Sequence, residues 1–560
     1  MKIYFKKSLK FVTLPFKKLL ILKFKLAHMK LLFKPLYLSA AIALALTGCG
    51  SASKMVSAPV ENIDKMPLKT TPLAEKDLQR WSHLDLVKDT VPGMSVDKAY
   101  AELLKGKKAT KVIVGIVDSG VDINHEDLKA VIWTNPKEIA GNNIDDDKNG
   151  FIDDIHGWNF LGNAVHEQLE MTRIVKKGPN APEYAKAKAK LDEEIQGLQG
   201  NKQQLDMILN AEKAIKTHLK KDNFTLEEVK KIETTDQSLL QAKMMFTQIL
   251  TQTTKAEFDK QIEEFKDYVY GQLNYNLNVD FDGRKIVGDN PNDIKDTKYG
   301  NNNVVGPEPK EAKHGTHVAG IVAQVRGNKK GGDGVASTVA IMAVRAVPDG
   351  DEYDKDIALG IRYAVDNGAK VINGSFGKYF SQNKEWVIDA IKYAESNDVL
   401  LVIAAGNESF DLDTTNKYPN DTYDNSPEFA KNVLIIGALS PEYGSKMVAG
   451  FSNYGKNNVD IFSPGEKIYA TTPLNTYEYL QGTSMASPNV AGVAALIRSY
   501  YPSLTAVQVK QIIMESGTSL SNIVSVGEDK HKTSFTEVSK SGKIVNAYNA
   551  LLLAEKMAKK

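Results

Sequence analysis

The chain has 560 residues, 42% hydrophobic and 25% charged, which is ordinary for a globular protein. That length allows one large domain with elaborations, or two or three smaller domains. The formal charge of +2 hides an asymmetry. The first 48 residues hold ten lysines and no acidic residue, so the remainder has 61 basic and 69 acidic side chains, or −8. This mild acidity argues against a nucleic-acid partner.

The single cysteine, Cys49, rules out an intramolecular disulfide, so the fold depends on its core and on any bound ions.

Residues 1–48 predict a signal segment. Lys30 and Lys34 precede an apolar run over 36–46 that is too short to span a membrane comfortably. The ending Leu-Thr-Gly-Cys49 resembles a bacterial lipoprotein signal, in which the cysteine is lipidated and becomes the new N-terminus. The resemblance implies an extracytoplasmic protein, lipid-anchored to the bacterial cell envelope, and Met29 is an alternative start. The other interpretation is an ordinary secretory signal with an incidental cysteine, which would make the protein secreted.

Two short regions follow the signal. Residues 49–65 predict a polar tether, and residues 66–110 predict an N-terminal arm with a helix near 97–104. Neither region shows the compact α/β pattern of a separate pro-domain.

Continuous apolar, β-branched runs predict strands that are buried on both faces of a parallel sheet. The first run covers 111–117, and helical patterns such as 357–367 and 385–396 separate the later runs. Those runs are 339–344, 371–373, 399–404 and 433–437. Strands that alternate with helices predict an α/β fold, whose ligand sites lie at the carboxyl ends of the strands.

Residues 163–270 interrupt this pattern and predict a helical insertion. Thr225 and Glu228 have the spacing of a capping box. Apolar residues recur on one helical face, as in Leu191, Ile195, Leu198, Leu205 and Leu209, and in Phe258, Ile262, Phe265 and Val269. Two interpretations stay open: a solvated, stabilising elaboration, or a lid or arm that contacts a protein partner.

Three glycine-flanked motifs, far apart in sequence, carry an acid, a base and a hydroxyl. They are Val-Gly-Ile-Val-Asp118-Ser-Gly, His314-Gly-Thr-His-Val-Ala-Gly and Gly-Thr-Ser484-Met-Ala-Ser-Pro. A serine hydroxyl needs a base within hydrogen-bond reach, and the base needs an acid that fixes its tautomer. A nucleophile at a helix start also faces free N–H groups that suit a developing oxyanion.

The order Asp, His, Ser and the third motif resemble the subtilase family of serine endopeptidases, over roughly 110–162 and 275–550. The resemblance implies a subtilisin-like parallel sheet flanked by helices. The peptidase domain would comprise 111–162 and 271–555, with the helical insertion 163–270 between the acid and base motifs. It also implies three catalytic roles and no cofactor for catalysis: Ser484 is the nucleophile, His314 the general base and Asp118 the orienting acid.

The same resemblance implies an oxyanion hole and a substrate cleft. Asn407 would donate from its side chain, beside the Ser484 backbone N–H. Ser375, Phe376, Gly377 and Gly406 would bind a polypeptide substrate in an extended conformation by main-chain pairing. Phe376 replaces a residue that is often aliphatic in the family, and Glu408 at the pocket rim would favour basic side chains. The competing hypothesis is a binding or scaffolding lipoprotein with a relict triad, whose insertion engages an envelope partner.

An acidic loop at 145–153 predicts a structural calcium site. Asp145, Asp147, Asn149 and Asp153 fall at positions 1, 3, 5 and 9 of a calcium loop, with glycine at position 6. The match is incomplete because position 12 is His156 rather than glutamate, and a solvated acidic turn is the alternative. The acidic stretch 289–296 is a weaker second candidate.

Overall fold

A computed structural model of the chain describes residues 71–559. Its strands are β1 Val112–Asp118, β2 Gly157–Asn159, β3 Val339–Arg345, β4 Val371–Gly374, β5 Leu400–Ala404, β6 Val433–Leu439, β7 Ile461–Pro464, β8 Ile468–Thr472, β9 Thr476–Leu480, β10 Thr518–Ser519, β11 Ile523–Val526, β12 His531–Ser534 and β13 Lys543–Ile544. Nine of them form one sheet in the order β10-β13-β7-β6-β5-β4-β1-β3-β2. Neighbours in this sheet run parallel, except for the antiparallel pair of β10 and β13. Two antiparallel hairpins, β8–β9 and β11–β12, lie outside it.

The helices flank the sheet and fill the insertion. They are Glu75–Leu78, Leu86–Asp89, Val96–Ala99, Glu170–Lys176, Tyr184–Leu219, Leu226–Lys230, Gln237–Gln252, Lys255–Gly271, Arg284–Val287, Lys313–Ala323, Asp354–Asp366, Lys384–Ser396, Thr483–Tyr500, Ala506–Ser516 and Ala547–Ala558. Short 3-10 turns lie at Trp81–His83, Pro309–Ala312 and Phe535–Glu537, and π-helical turns at Tyr100–Leu104 and Gln272–Asn276.

The sheet has a buried centre, as the apolar runs predict. Every residue of β3, β4, β5 and β6 is buried, and β1 has one partly exposed residue. Val114 in β1 lies opposite Ile341 on one side and Val371 on the other. Asp118 therefore ends a central strand at the carboxyl edge of the sheet, where parallel sheets place their ligand sites.

Two helices begin beside this edge: Lys313–Ala323, here the histidine helix, and Thr483–Tyr500, here the serine helix. They pack against each other, and the serine helix also packs on β4, β5, β6 and β7. Small residues such as Gly492 and Ala494 permit this close approach, and the serine helix is buried almost all round. This packing brings the first turns of the two helices to the end of β1.

The insertion has a hydrophobic core of its own. The 36-residue helix Tyr184–Leu219 packs against Glu170–Lys176, Gln237–Gln252 and Lys255–Gly271. The predicted capping box at Thr225 and Glu228 is present. Phe380, which belongs to the peptidase part of the chain, also lies in this core. The prediction of an α/β fold with a mostly parallel sheet and a helical insertion between Asp118 and His314 is confirmed.

The N-terminal arm packs against the turn between β7 and β8. The buried Trp81 donates its indole N–H to the carbonyls of Glu466 and Lys467. The predicted signal and tether, with Cys49, lie outside the described residues. Within residues 71–559, no helix has both the length and the apolarity needed to cross a bilayer.

Candidate active site

The acid and the base of the predicted triad are in direct contact. His314 Nδ1 lies 2.7 Å from Asp118 Oδ1, which also accepts a 2.7 Å hydrogen bond from the Ser119 N–H. Asp118 is 1% exposed, and its Oδ2 atom is buried without a hydrogen-bond partner among the described residues. A buried carboxylate bonded to Nδ1 leaves Nε2 as the proton acceptor and stabilises the imidazolium that forms when it is protonated.

Gly315 allows this contact. A Cβ atom at position 315 would overlap the Gly120 carbonyl oxygen and lie 3.1 Å from Asp118 Oδ1. The glycine after the histidine therefore lets the histidine helix begin directly against the end of β1. This is the structural reason for the His-Gly pair in the second motif.

Ser484 is the second residue of the serine helix, and its hydroxyl points along the cleft. Ser484 Oγ donates a 3.1 Å hydrogen bond to the Ser375 carbonyl, and Ser375 Oγ donates a 2.8 Å bond to the Ser484 carbonyl. Among the described residues, no hydrogen bond joins Ser484 to His314. Catalytic hydrogen bonds are often long in unliganded enzymes, and a change in the χ1 angle redirects a serine hydroxyl. Asp118 and His314 are therefore in contact, and Ser484 lies in the first turn of the neighbouring serine helix with its hydroxyl turned toward Ser375.

The predicted oxyanion hole has an anchored amide. Asn407 Oδ1 accepts hydrogen bonds from the Thr483 N–H at 2.7 Å and from Thr483 Oγ1 at 2.9 Å. Thr483 Oγ1 in turn accepts from the Gly406 N–H at 3.0 Å. With its oxygen held in this way, the Asn407 amide makes no hydrogen bond through Nδ2 to any of residues 71–559. Thr483 is a positioning residue that sequence reasoning missed, although it immediately precedes Ser484.

Gly482 borders the same hole. Its φ is +150°, and a Cβ there would lie 3.5 Å from the Ser484 backbone nitrogen and 3.6 Å from Asn407 Nδ2. The two predicted oxyanion donors therefore lie close to one point in space. Oxyanion stabilisation requires two donors that converge in this way.

Residues 375–377, here the pocket segment, continue from β4 past the nucleophile. Ser375 contacts Ser484, Phe376 is 9% exposed, and Gly377 has a φ of +157°. Gly406 follows β5 across the cleft, and a Cβ there would lie 3.0 Å from both Glu408 Oε2 and the Tyr379 hydroxyl. Ser375 therefore contacts Ser484, and Gly406 contacts the neighbouring Thr483.

The Glu408 carboxylate is occupied by protein donors. Its Oε2 atom accepts from the Asn407 N–H at 2.8 Å, from Asn453 Nδ2 at 3.3 Å and from the Tyr379 hydroxyl. Burial and this carboxylate raise the pKa of Tyr379 well above its ordinary value, so the phenol stays a donor. Glu408 thus fixes the wall of the cleft, which weakens the expectation that it selects basic substrate side chains.

The acidic loop brings together a different set of oxygens from the predicted one. Asp145 and Asp147 have carboxylate oxygens within 4.8 Å of each other and of Glu138, which the sequence pattern missed. Asn149 Oδ1 accepts from the Phe151 N–H, and Asp153 accepts from the N–H groups of Gly141 and Asn143. Those two residues shape the loop, whereas Glu138 joins the cluster.

The weaker acidic candidate, 289–296, is an ion-pair site. The buried Asp289 accepts hydrogen bonds from Arg284 at 2.7 Å and from Lys355 at 2.6 Å. Asp296 lies 3.5 Å from Lys355. Protein cations already pair with Asp289 and Asp296, so this stretch stays a weaker calcium candidate than the acidic loop.

His317, the second histidine of its motif, is structural. It is fully buried, and its Nε2 atom lies 3.1 Å from the carbonyl oxygens of Ile468 and Glu478. Burial lowers the pKa of His317 to about 3, so the ring is a neutral donor to β8 and β9.

Comparison with known proteins agrees with this geometry. The model of the subtilase family matches residues 109–536. Subtilisin DY from Bacillus licheniformis is 39% identical over 209 residues, which are 37% of this chain and 71% of that protein. Thermitase from Thermoactinomyces vulgaris is 39% identical over 187 residues, which are 33% of this chain and 61% of that protein.

Among solved structures, a protease from Pseudoalteromonas arctica PAMC 21717 is 32% identical, and the match covers 43% of this chain and 70% of that one. Its TM-score of 0.35 is too low to support an argument about the fold. The family model covers more than half of the chain, and the matched residues include Asp118, His314 and Ser484. The chain therefore belongs to the subtilase family of serine proteases.

Proposed function

We propose that the protein is a serine endopeptidase that hydrolyses peptide bonds of polypeptides through an acyl-enzyme intermediate. Ser484 attacks the scissile carbonyl, and His314 takes its proton and returns it to the leaving amine. Asp118 holds the imidazole in the tautomer this requires. The Asn407 amide and the Ser484 N–H stabilise the oxyanion, and water then releases the acyl group.

The observation that carries this proposal is the 2.7 Å contact of His314 with the buried Asp118 beside an anchored Asn407 amide. A binding protein has no need for a buried carboxylate that fixes an imidazole next to two convergent N–H donors. The Ser484 hydroxyl donates to the Ser375 carbonyl in this structure, so the attack requires the hydroxyl to turn from that carbonyl toward the imidazole.

Cleavage of an unfolded protein tests the proposal. The purified chain should degrade reduced, denatured casein, and Ser484→Ala should lower kcat by about 10⁶, a magnitude taken from subtilisin. Ser396→Ala, at an exposed helix end, is the matched control and should retain activity. Full activity of Ser484→Ala would contradict the assignment.

We also propose that Cys49 is lipidated and anchors the protein to a bacterial envelope membrane. The sequence Leu-Thr-Gly-Cys49 after an apolar run supports this proposal. Cys49→Ser should move the protein from the membrane fraction to the soluble fraction of the cell envelope or the medium. A wild-type protein that is already soluble would favour the secreted alternative.

Calcium is proposed as a structural ion at Glu138, Asp145 and Asp147. The three carboxylates lie together, and Glu138 Oε2 is buried without a hydrogen-bond partner among the described residues, so the donor set fits a hard cation. Calcium at 100 times its dissociation constant should stabilise the wild type by about 2.7 kcal/mol relative to chelator. Glu138→Gln should lose most of this gain, whereas the exposed control Glu385→Gln should keep it. Equal calcium stabilisation of Glu138→Gln and the wild type would refute the site.

The insertion is proposed to shape access to the cleft and to offer a surface for a protein partner. Its contacts with the residues after the pocket segment support the first part. Lys378 Nζ lies 2.8 Å from Glu170 Oε2, and Phe380 lies in the insertion core. A variant with 184–252 replaced by a short linker should cleave the same casein with an altered cleavage pattern, and an unchanged pattern would contradict this role.

A further inference from the structure

A buried lysine lies beneath the pocket segment. Lys417 is 3% exposed, and its ammonium group donates a 3.1 Å hydrogen bond to the Phe376 carbonyl. No carboxylate forms a salt bridge with this ammonium in the part of the chain that the structure describes. Sequence reasoning missed Lys417 because it is 41 residues from Phe376 and belongs to no motif.

Backbone pairing fixes the position of this lysine. The Tyr418 N–H donates to the Lys378 carbonyl at 2.9 Å, and the Lys378 N–H donates to the Tyr418 carbonyl at 3.0 Å. This bridge places Lys417 alongside the pocket segment. A Cβ atom added to Gly377 would overlap Lys417 Nζ and Cε. The ammonium therefore lies against the Gly377 backbone, two residues beyond the Ser375 carbonyl that Ser484 contacts.

The neighbouring Lys378 is also buried, but its ammonium group is paired with carboxylates. Its ammonium lies 2.8 Å from Glu170 and 2.9 Å from Asp354, and these carboxylates raise its pKa. Lys417 lacks such partners, and burial lowers its pKa to about 8 despite the more distant Glu352 and Glu408. A buried ammonium without a paired anion is energetically costly.

Neither of the two carboxylates that act on Lys417 from a distance is paired with it. Glu408 is committed to the Tyr379 hydroxyl and the Asn407 N–H. Glu352 forms no salt bridge among the described residues, and burial raises its pKa to about 7. Lys417 therefore lacks a directly paired anion beside the pocket segment.

We propose that Lys417 makes the pocket beside Phe376 and Gly377 select an acidic side chain, glutamate or aspartate, on the substrate residue whose carbonyl Ser484 attacks. The incoming carboxylate would supply the anion that the ammonium lacks, through a charge-assisted hydrogen bond. This inference rests on the proposed endopeptidase function. It reverses the expectation that Glu408 favours basic side chains.

The test compares two fluorogenic peptides that differ only in glutamate or its neutral isostere glutamine at the cleaved residue. The wild type should show a kcat/KM for the glutamate peptide roughly 10- to 100-fold higher, the worth of one hydrogen bond to a charged group. Lys417→Met should bring this ratio to about one. The exposed control Lys431→Met should keep the wild-type ratio.

A pH series on the wild type provides a second measurement that needs no variant. Because kcat/KM reports the free enzyme, the glutamate-to-glutamine ratio should fall as pH rises through about 8, where Lys417 loses its proton. A wild-type ratio near one on an active enzyme would overturn the inference and leave the peptidase assignment intact. Retention of the ratio by Lys417→Met would also overturn it. Undiminished cleavage by Ser484→Ala would instead refute the proposed function itself.

Discussion

Removal of the Thr483 hydroxyl tests the oxyanion hole at a residue that does not touch the substrate. Thr483 Oγ1 supplies one of the two hydrogen bonds that hold Asn407 Oδ1, and the Thr483 N–H supplies the other. Thr483→Val removes the first and keeps the second. The Asn407 amide can then rotate away from the position in which Nδ2 meets the oxyanion.

The magnitude follows from the contribution of the donor. Loss of the corresponding asparagine costs subtilisin about 10²–10³ in kcat, so partial misplacement should cost about 10- to 100-fold. The loss should appear in kcat with KM nearly unchanged, because the amide acts mainly in the transition state. The Gly406 N–H also loses its acceptor, which should reduce the free energy of unfolding by about 1–3 kcal/mol.

The assay is steady-state hydrolysis of one peptide by four proteins: wild type, Thr483→Val, Asn407→Leu and the double variant. Thr483 acts through Asn407, so its substitution should have little further effect in the Asn407→Leu background. Thr483→Ser keeps the hydroxyl and should retain most of the wild-type kcat. Wild-type kcat for Thr483→Val, or full additivity in the double variant, would refute the reasoning.

Three further predictions concern the triad and its surroundings. Asp118→Asn should lower kcat by about 10⁴ in peptide hydrolysis, because the amide no longer fixes the His314 tautomer, and a loss below tenfold would contradict the role of Asp118. Gly315→Ala should lower kcat in the same assay, because its Cβ would overlap the Gly120 carbonyl, and unchanged activity would show that the helix start can shift freely. The pKa of His317 is lowered to about 3, against 6.5 for an ordinary histidine. As pH falls below 6.5, His317 therefore binds a proton in the unfolded chain but not in the folded protein. Stability from this residue is therefore lost toward acid by up to about 1.4 kcal/mol per pH unit, and urea unfolding at pH 7.5 and 5 should show a smaller loss for His317→Gln than for the wild type. Equal losses of unfolding free energy in His317→Gln and the wild type would refute this role of His317.

The sheet could be predicted because its strands are buried on both faces and read as continuous apolar runs. The contact of Asp118 with His314 could be predicted because both residues lie in glycine-flanked motifs. At Gly315, the Gly120 carbonyl leaves no room for a side chain. Steric constraints at the end of β1 and at the starts of the two helices are therefore visible in the local sequence as glycines.

Contacts made between distant segments could not be predicted in this way. Glu138 joins Asp145 and Asp147 through the folding of the loop, and no calcium-loop spacing includes it. The acidic stretch 289–296 appeared free for calcium, but Asp289 is paired with Lys355, 66 residues away. The partners of a charged side chain depend on tertiary packing, and a local pattern does not encode that packing.

The most direct measurement of the central claim is mass spectrometry of the protein after reaction with a serine-directed phosphonate ester. The account predicts one adduct, on the peptide that contains Ser484, with labelling strongly slowed in His314→Ala because the hydroxyl loses its base. An adduct on another serine, or equal labelling rates in the two proteins, would contradict the relay of Asp118, His314 and Ser484.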